Sequence, residues 1–221
     1  MRTRIGIVMS LLLLVAPPVS ADPDPLWPPF DAPIEQRDCE VILAVCTHET
    51  FADASTGALT VAASVDTTDA PVGSAWSSGM AGFQVDFDLD EPATTVEITF
   101  EVLVHEADVE AAPRGSLPAN NPYGVVAFLA FAVHNGCSCG AIDYVGIAGA
   151  GDPDHRRDQR FRSTMTLARN GRSMPAGSIQ IGGVVEAWAG TGNTVAYAFP
   201  GSGAASARAG ATITSLTVDP S

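Results

Sequence analysis

The chain has 221 residues, a formal net charge of −14 and 46% hydrophobic residues, and all of its 11 basic residues are arginine. A chain this acidic repels nucleic acid and anionic lipid, so we expect no nucleic-acid partner and a surface suited to an extracellular medium. The lack of lysine beside many alanines and glycines indicates the codon bias of a GC-rich bacterial genome.

The first 21 residues have the pattern of a secretory signal peptide. Arg2 and Arg4 precede an apolar run over residues 5–15, and small residues follow up to Ala21. We therefore predict cleavage after Ala21 and a secreted, extracellular protein. No cysteine follows the cleavage point and no hydrophobic tail ends the chain, so no membrane anchor is expected.

Residues 22–38 are rich in proline and are predicted to form an extended segment without a helix or strand. The remaining residues, 39–221, have the length of a single β-sandwich domain.

The clearest strand pattern lies in residues 83–89 and 96–104, where apolar and mostly polar residues alternate. This period of two is typical of strands buried on one face. If residues 91–94 form a four-residue loop, Leu89 pairs with Val96 and every apolar residue meets another. The sequence thus predicts a hairpin over residues 83–105.

That hairpin would gather acidic side chains on its other face, including Asp86, Asp88, Glu97 and Glu101. Like charges opposite each other destabilise a sheet, so we expect a neutralising partner. A neighbouring strand carrying Arg160 and Arg162, or plain hydration, is the favoured solution. The alternative is Ca²⁺ bound by Asp86, Asp88 and Glu97. No other cofactor is predicted.

Similar alternation recurs along the chain, for example in residues 57–66, 159–168 and 178–189, and Asn135-Gly136 marks a turn after the apolar segment 123–133. A further short strand is predicted over residues 194–199. With roughly ten strands and no amphipathic helix, the pattern predicts an all-β protein. Its expected architecture is an antiparallel β-sandwich of the jelly-roll or Greek-key type.

Four cysteines remain after signal cleavage: Cys39, Cys46, Cys137 and Cys139. An even number in a secreted chain indicates disulfides. On a regular strand Cys137 and Cys139 would hold their Cβ atoms about 6.6 Å apart, too far for a direct bond. We therefore expect each to pair with Cys39 or Cys46. The alternative is a zinc or copper site that adds His48 and His134 to the thiolates.

Catalysis finds little support in the sequence, which has no Gly-x-Ser-x-Gly elbow and no second histidine for a zincin motif. Residues 97–101 resemble, over five positions, the Glu-x-Asp-x-Glu strand of laminarinase-like jelly-roll glycosidases. The resemblance implies Glu97 and Glu101 as catalytic carboxylates, but Thr99 replaces the central aspartate. Residues i and i+4 of a strand also lie about 13 Å apart, far beyond the ~5.5 Å of a retaining pair. We expect a non-catalytic protein.

A binding role has a more specific signal, because Trp188, Glu186 and Gln180 alternate onto one face of a predicted strand. An aromatic ring beside hydrogen-bonding groups suits sugar recognition, and Trp76 and Tyr123 are further candidates. By analogy with secreted jelly rolls, we expect recognition of an extracellular glycan or cell-envelope component. A purely structural, envelope-associated role is the alternative, and burial of Trp188 under a loop would favour it. The sequence leaves the oligomeric state open.

Overall fold

A computed structural model describes residues 32–42, 45–66, 74–113, 122–149, 156–191 and 203–221. They form two antiparallel sheets of five strands each. Sheet A contains, in spatial order, β1 (Ala32–Ile42), β4 (Ser74–Leu89), β9 (Gly177–Thr191), β6 (Tyr123–His134) and β7 (Cys139–Gly149). Sheet B contains β2 (Val45–Asp53), β3 (Ala58–Asp66), β10 (Gly203–Pro220), β5 (Thr95–Pro113) and β8 (Arg156–Ala168).

The predicted fold class is confirmed, since the described strands build an antiparallel β-sandwich. Their pairing is nested: β6 pairs with β7, β5 with β8, β4 with β9, and β3 with β10. This is one long hairpin folded over on itself, as in a jelly roll. The first two strands extend the sandwich, because β1 adds to β4 and β2 adds to β3.

The hairpin predicted over residues 83–105 is wrong. β4 pairs with β1 and β9 in sheet A, whereas β5 pairs with β10 and β8 in sheet B. The chain crosses between the sheets at residues 90–94, where Ala93 bridges to Met174. Both strands do bury their apolar faces, but those faces meet across the core and not side by side. Alternation reveals which face is buried and says nothing about which sheet a strand joins.

The core lies between the two sheets and is filled by their inward-facing side chains. Phe100 of sheet B meets Phe128 of sheet A edge-to-face, with ring centroids 5.6 Å apart. Gly183 makes room for both rings, since a Cβ atom there would lie 2.8 Å from Phe100 and 2.9 Å from Phe128. The two sheets therefore interlock through aromatic rings at their centre.

Several element boundaries differ from the sequence prediction. β1 begins at Ala32, so residues 32–38 form a strand and not the predicted extended segment. Pro33 is tolerated there because β1 is an edge strand. The predicted signal peptide, residues 22–31 and the predicted strand 194–199 lie outside the described residues. In the part of the chain that the structure describes, no helix is long and apolar enough to cross a membrane.

The predicted cysteine connectivity is also wrong. Cys137 and Cys139 form a disulfide with each other, which excludes a bond from either to Cys39 or Cys46. Cys137 belongs to the turn before β7, where the Cys139 amide donates to the Cys137 carbonyl at 2.8 Å. This turn brings the two Cα atoms to 5.3 Å, so the regular-strand spacing does not apply. Cys46 is disulfide-bonded as well.

Candidate ligand-binding face

The outer surfaces of the two sheets differ sharply in chemistry. On sheet B the outward side chains are mainly hydroxyl-bearing, small or charged, and neighbouring strands pair them: Thr99 with Thr164, Glu101 with Arg162, and Asp108 with Arg208. Among the strands described there, Phe51 is the exposed aromatic residue. Such a surface is that of an ordinary solvated sheet.

The outer surface of sheet A instead carries five aromatic side chains, which we call the aromatic face. Strand register and alternating burial place them together on the outside of the sheet: Trp76 on β4, Tyr123 and Phe131 on β6, Tyr144 on β7 and Trp188 on β9. All five are partly or well exposed. Aromatic rings in this number on one solvent-facing surface are typical of a binding surface.

Two of these rings lie across glycines of the central strand β9. Tyr123 is directly opposite Gly190, and Phe131 is directly opposite Gly182. A Cβ atom at Gly190 would lie 2.5 Å from the Tyr123 ring, and one at Gly182 would collide with the Phe131 ring. The glycines therefore let both rings lean over the neighbouring strand, which widens the aromatic face across the sheet.

Trp188 is held in place from two sides. Its ring stacks with Trp76 of β4, with centroids 5.7 Å apart and planes 20° apart. Its indole N–H donates to Oε2 of Glu186 at 3.2 Å. Glu186 is only 8% exposed, although its position in β9 faces outward. Trp188 is consequently half-buried and fixed in orientation, with part of its ring at the surface.

Tyr144 extends the aromatic face to the edge strand β7. Partial burial, and to a lesser degree the nearby Glu186 carboxylate, raise the pKa of the Tyr144 phenol above its usual value. Both effects disfavour the phenolate, so Tyr144 presents a neutral hydroxyl at physiological pH. It can therefore donate as well as accept a hydrogen bond.

The aromatic face also has a buried layer of its own. Ala127 and Val184 are 0% and 1% exposed, yet they do not belong to the central core between the sheets. They occupy outward positions in β6 and β9 and are covered by the larger side chains around them. The side chains of the aromatic face therefore pack on one another and on this buried layer, and they are not isolated exposed rings.

Of the three residues predicted as one site, Trp188 and Glu186 are in contact, whereas Gln180 is distant. All three face outward from β9. Gln180 is eight residues from Trp188, which corresponds to about 27 Å along a strand. It lies opposite Asp86 on β4 and Val133 on β6. Gln180 thus belongs to the far end of the same face and not to the Trp188 cluster.

The predicted calcium site at Asp86, Asp88 and Glu97 is not formed. Asp86 and Asp88 face outward from sheet A, whereas Glu97 faces outward from sheet B, so the sandwich separates them. The structure places Arg162 against Glu101, with a 2.6 Å ion pair, and sets Arg160 opposite Leu103. Within the described ranges no group of three or more candidate ligand side chains could hold a metal ion.

The alternative zinc or copper site is not formed either. Cys137 and Cys139 are bonded to each other and offer no thiolate. His134 is buried, its Nδ1 accepts from the Gly136 amide at 2.8 Å, and its Nε2 donates to the Pro175 carbonyl at 2.9 Å. Both ring nitrogens are thus hydrogen-bonded, and His134 links the β6–β7 turn to the β8–β9 connection.

Glu97 and Glu101, the residues implied by the glycosidase resemblance, lie four positions apart on β5. That stretch of β5 pairs with β8 in unbroken register, so no bulge shortens their separation of about 13 Å. Glu101 is also paired with Arg162. The arrangement does not match a retaining or an inverting carboxylate pair.

Sequence reasoning missed Phe131 and Tyr144 as members of the aromatic face. Phe131 lies in the almost wholly apolar segment 123–133, whose composition does not show which side chains face outward, and Tyr144 lies in the strand that returns after the Asn135-Gly136 turn. A signal was available, because residues 141–145 alternate and place Ile142 and Tyr144 on the face opposite Asp143. Trp76 lies in the segment 71–82, whose glycine and serine content predicts a loop, so the sequence does not assign its strand partner.

Comparisons with known proteins return no matching family model and no matching curated protein. A solved structure described as showing the promiscuous specificity of carbohydrate-binding modules from the β-sandwich superfamily aligns with 89% of this chain. The aligned region spans 63% of that chain, with 10% identity and a TM-score of 0.30. At this TM-score and identity, the superposition does not show a shared fold or a shared ligand.

Proposed function

We propose that this protein is a secreted, non-catalytic binding protein that recognises an extracellular glycan through the aromatic face of sheet A. The observation that carries the proposal is the gathering of five aromatic side chains on one outer surface, with Glu186 fixed among them. Aromatic rings stack on the C–H faces of sugars, while carboxylate, amide and hydroxyl groups bind sugar hydroxyls.

The dimensions of the face support an extended ligand. Gly182 and Gly190, the glycines under the Phe131 and Tyr123 rings, are eight residues apart, or about 27 Å along β9. Trp188 and Trp76 lie near one end of this span, and Gln180 and Asp86 lie beyond the other. A chain of several sugars can contact rings and polar groups in succession along such a surface.

The proposal can be tested by affinity electrophoresis and pull-down with soluble and insoluble polysaccharides, including bacterial envelope material. We expect Trp76→Ala and Tyr144→Ala each to weaken binding at least about fivefold, which corresponds to roughly 1 kcal/mol per stacked ring. Phe51→Ala is the matched control, since it removes an exposed aromatic ring from sheet B.

Two results would contradict the proposal. One is an absence of binding to every glycan tested by the folded wild-type protein. The other is equal weakening by Phe51→Ala and Tyr144→Ala, which would show that the aromatic face is not the contact surface. Binding to a non-glycan envelope component alone would favour the alternative, envelope-associated role.

A further inference from the structure

The sandwich has four edge strands, and they are not protected alike. Strands β1 and β7 border sheet A, while β2 and β8 border sheet B. An edge strand presents unpaired N–H and C=O groups to which another strand can add, and proteins usually block this with charges, prolines or bulges.

Three of the four edges carry such blocking residues. β1 contains Pro33, Glu35, Arg37 and Asp38; β2 contains His48, Glu49 and Asp53; β8 contains Arg157, Asp158, Arg160 and Arg162. If any of these strands paired with its own copy, charged side chains would crowd the new ladder.

Strand β7 differs from the other edges. Its sole charged residue, Asp143, points toward the interior and accepts a 2.6 Å hydrogen bond from the Ser163 hydroxyl of β8. On its outward side Ile142 is 74% exposed and Tyr144 is 55% exposed. Among the described strands β7 pairs with β6 alone. Before the bulge at Ile147, where residues 139–146 pair with β6 in unbroken register, its other edge therefore offers backbone hydrogen-bonding groups beside uncharged side chains.

We propose that two copies of this protein associate through β7, antiparallel and about a two-fold axis, so that both A sheets join into one continuous sheet. In a continuous sheet, residues that pair across the axis must face the same surface, so the axis must pass through a residue and not between two residues. Near the middle of β7, the axis can therefore pass through Ile142, Asp143 or Tyr144. An axis at Asp143 would set the two Asp143 side chains opposite each other, which is unfavourable.

The axis at Ile142 fits the chain best. It pairs Ile142 with its own copy and places Tyr144 directly opposite Gly140 of the partner subunit. That is the same aromatic–glycine pairing that this sheet already uses twice, at Tyr123–Gly190 and Phe131–Gly182. Gly140 is exposed and a side chain over it would meet little, so it leaves room for the ring.

A second copy is the occupant that the sequence of β7 favours, because this strand carries both the ring and the glycine that the pairing needs. When β7 pairs with its own copy in this register, no two like charges face each other, because Asp143 lies opposite Ala141. The acidic chains still repel each other at long range, with a formal charge of −14 per chain. Salt screens this repulsion, so the dimer is expected to strengthen as ionic strength rises.

The inference does not rest on glycan binding and is tested without a ligand. We expect sedimentation velocity to show a concentration-dependent dimer that strengthens between low and high salt. Ile142→Lys should give a monomer, because it sets two ammonium groups against each other. Val45→Lys should remain dimeric, since Val45 is 65% exposed but belongs to the edge strand β2 of sheet B.

Single cysteines report the register under mild oxidation on non-reducing gels. Ile142→Cys should cross-link with itself, whereas Tyr144→Cys should cross-link only when mixed with Gly140→Cys. A monomeric wild-type protein at all concentrations and salts would overturn the proposal. So would a dimer that Val45→Lys disrupts and Ile142→Lys does not, because that result would place the contact on sheet B.

Discussion

Trp188 donates its indole N–H to the carboxylate of Glu186, two residues earlier on the same strand, at 3.2 Å. Neighbours at this spacing share one face of a strand, so a single β-strand supplies both the ring and the group that orients it. Glu186 is almost fully buried, and the hydrogen bond compensates part of the cost of removing its carboxylate from water.

Trp188→Phe is therefore expected to destabilise the fold by about 1–3 kcal/mol, because it keeps an aromatic ring and removes the donor to a buried acceptor. Wild type, Trp188→Phe, Glu186→Gln and the double variant form a double-mutant cycle, and urea denaturation measures the free energy of unfolding of each. We expect Trp188→Phe to cost less in the Glu186→Gln background. Equal costs in both backgrounds would show that the two side chains are not coupled.

Gly182→Val should destabilise the protein by about 1–3 kcal/mol, because the Phe131 ring occupies the space that the new side chain needs. Gly146→Ala is the matched control on the same outer surface, where nothing lies within 4 Å of an added Cβ. Thermal unfolding should separate the two, with Gly146→Ala close to wild type. Comparable losses at both positions would mean that Phe131 moves aside at little cost.

The raised pKa of Tyr144 makes stability depend on pH at the alkaline end. A phenol whose folded pKa exceeds its unfolded value of about 10 has no effect on stability below that pH. Above it, the unfolded chain loses the proton more readily, so stability falls as pH rises through the folded pKa.

Ultraviolet titration of the phenolate should show one tyrosine that ionises late and that is missing in Tyr144→Phe. In Glu186→Gln this late transition should move toward lower pH, since one of its two causes is removed. If Tyr144→Phe lowers only the amplitude of the titration curve and keeps the late transition, that transition does not belong to Tyr144.

Replacing Cys137 and Cys139 together by serine is expected to cost about 1–2 kcal/mol, since a loop between cysteines only two positions apart restricts the unfolded chain weakly. Mass spectrometry of an unreduced fragment holding both residues should find it two hydrogens lighter than the reduced form. A fragment cross-linked to the region of Cys39 or Cys46 would disprove the pairing.

The sequence predicted the class of fold because hydrophobic alternation depends only on which face of a strand is buried. The partners of each strand were not predictable in the same way. Val85 and Phe100 are apolar and inward whether their strands are neighbours or lie in opposite sheets, so the same pattern fits a hairpin and a crossing. The nested pairing of β4 with β9 joins residues about a hundred positions apart, which local periodicity does not report.

The candidate site was predictable in part for a similar reason. Alternation along β9 placed Trp188, Glu186 and Gln180 on one surface, as the register shows. It did not indicate that Tyr144 and Phe131 lie on that surface too, because neighbouring strands determine which outward residues meet. The disulfide escaped prediction because the turn at residues 135–138 changes the spacing that a regular strand would give.

Strand β10 occupies the middle of sheet B, between β3 and β5, and Ser221 just beyond it bonds to the backbone of both Thr94 and Thr95. Sheet B therefore lacks its central member until residues 203–220 have been synthesised and have reached their place. Until then β3 and β5 each lack one of their two neighbouring strands, which makes late, cooperative folding a property of this topology.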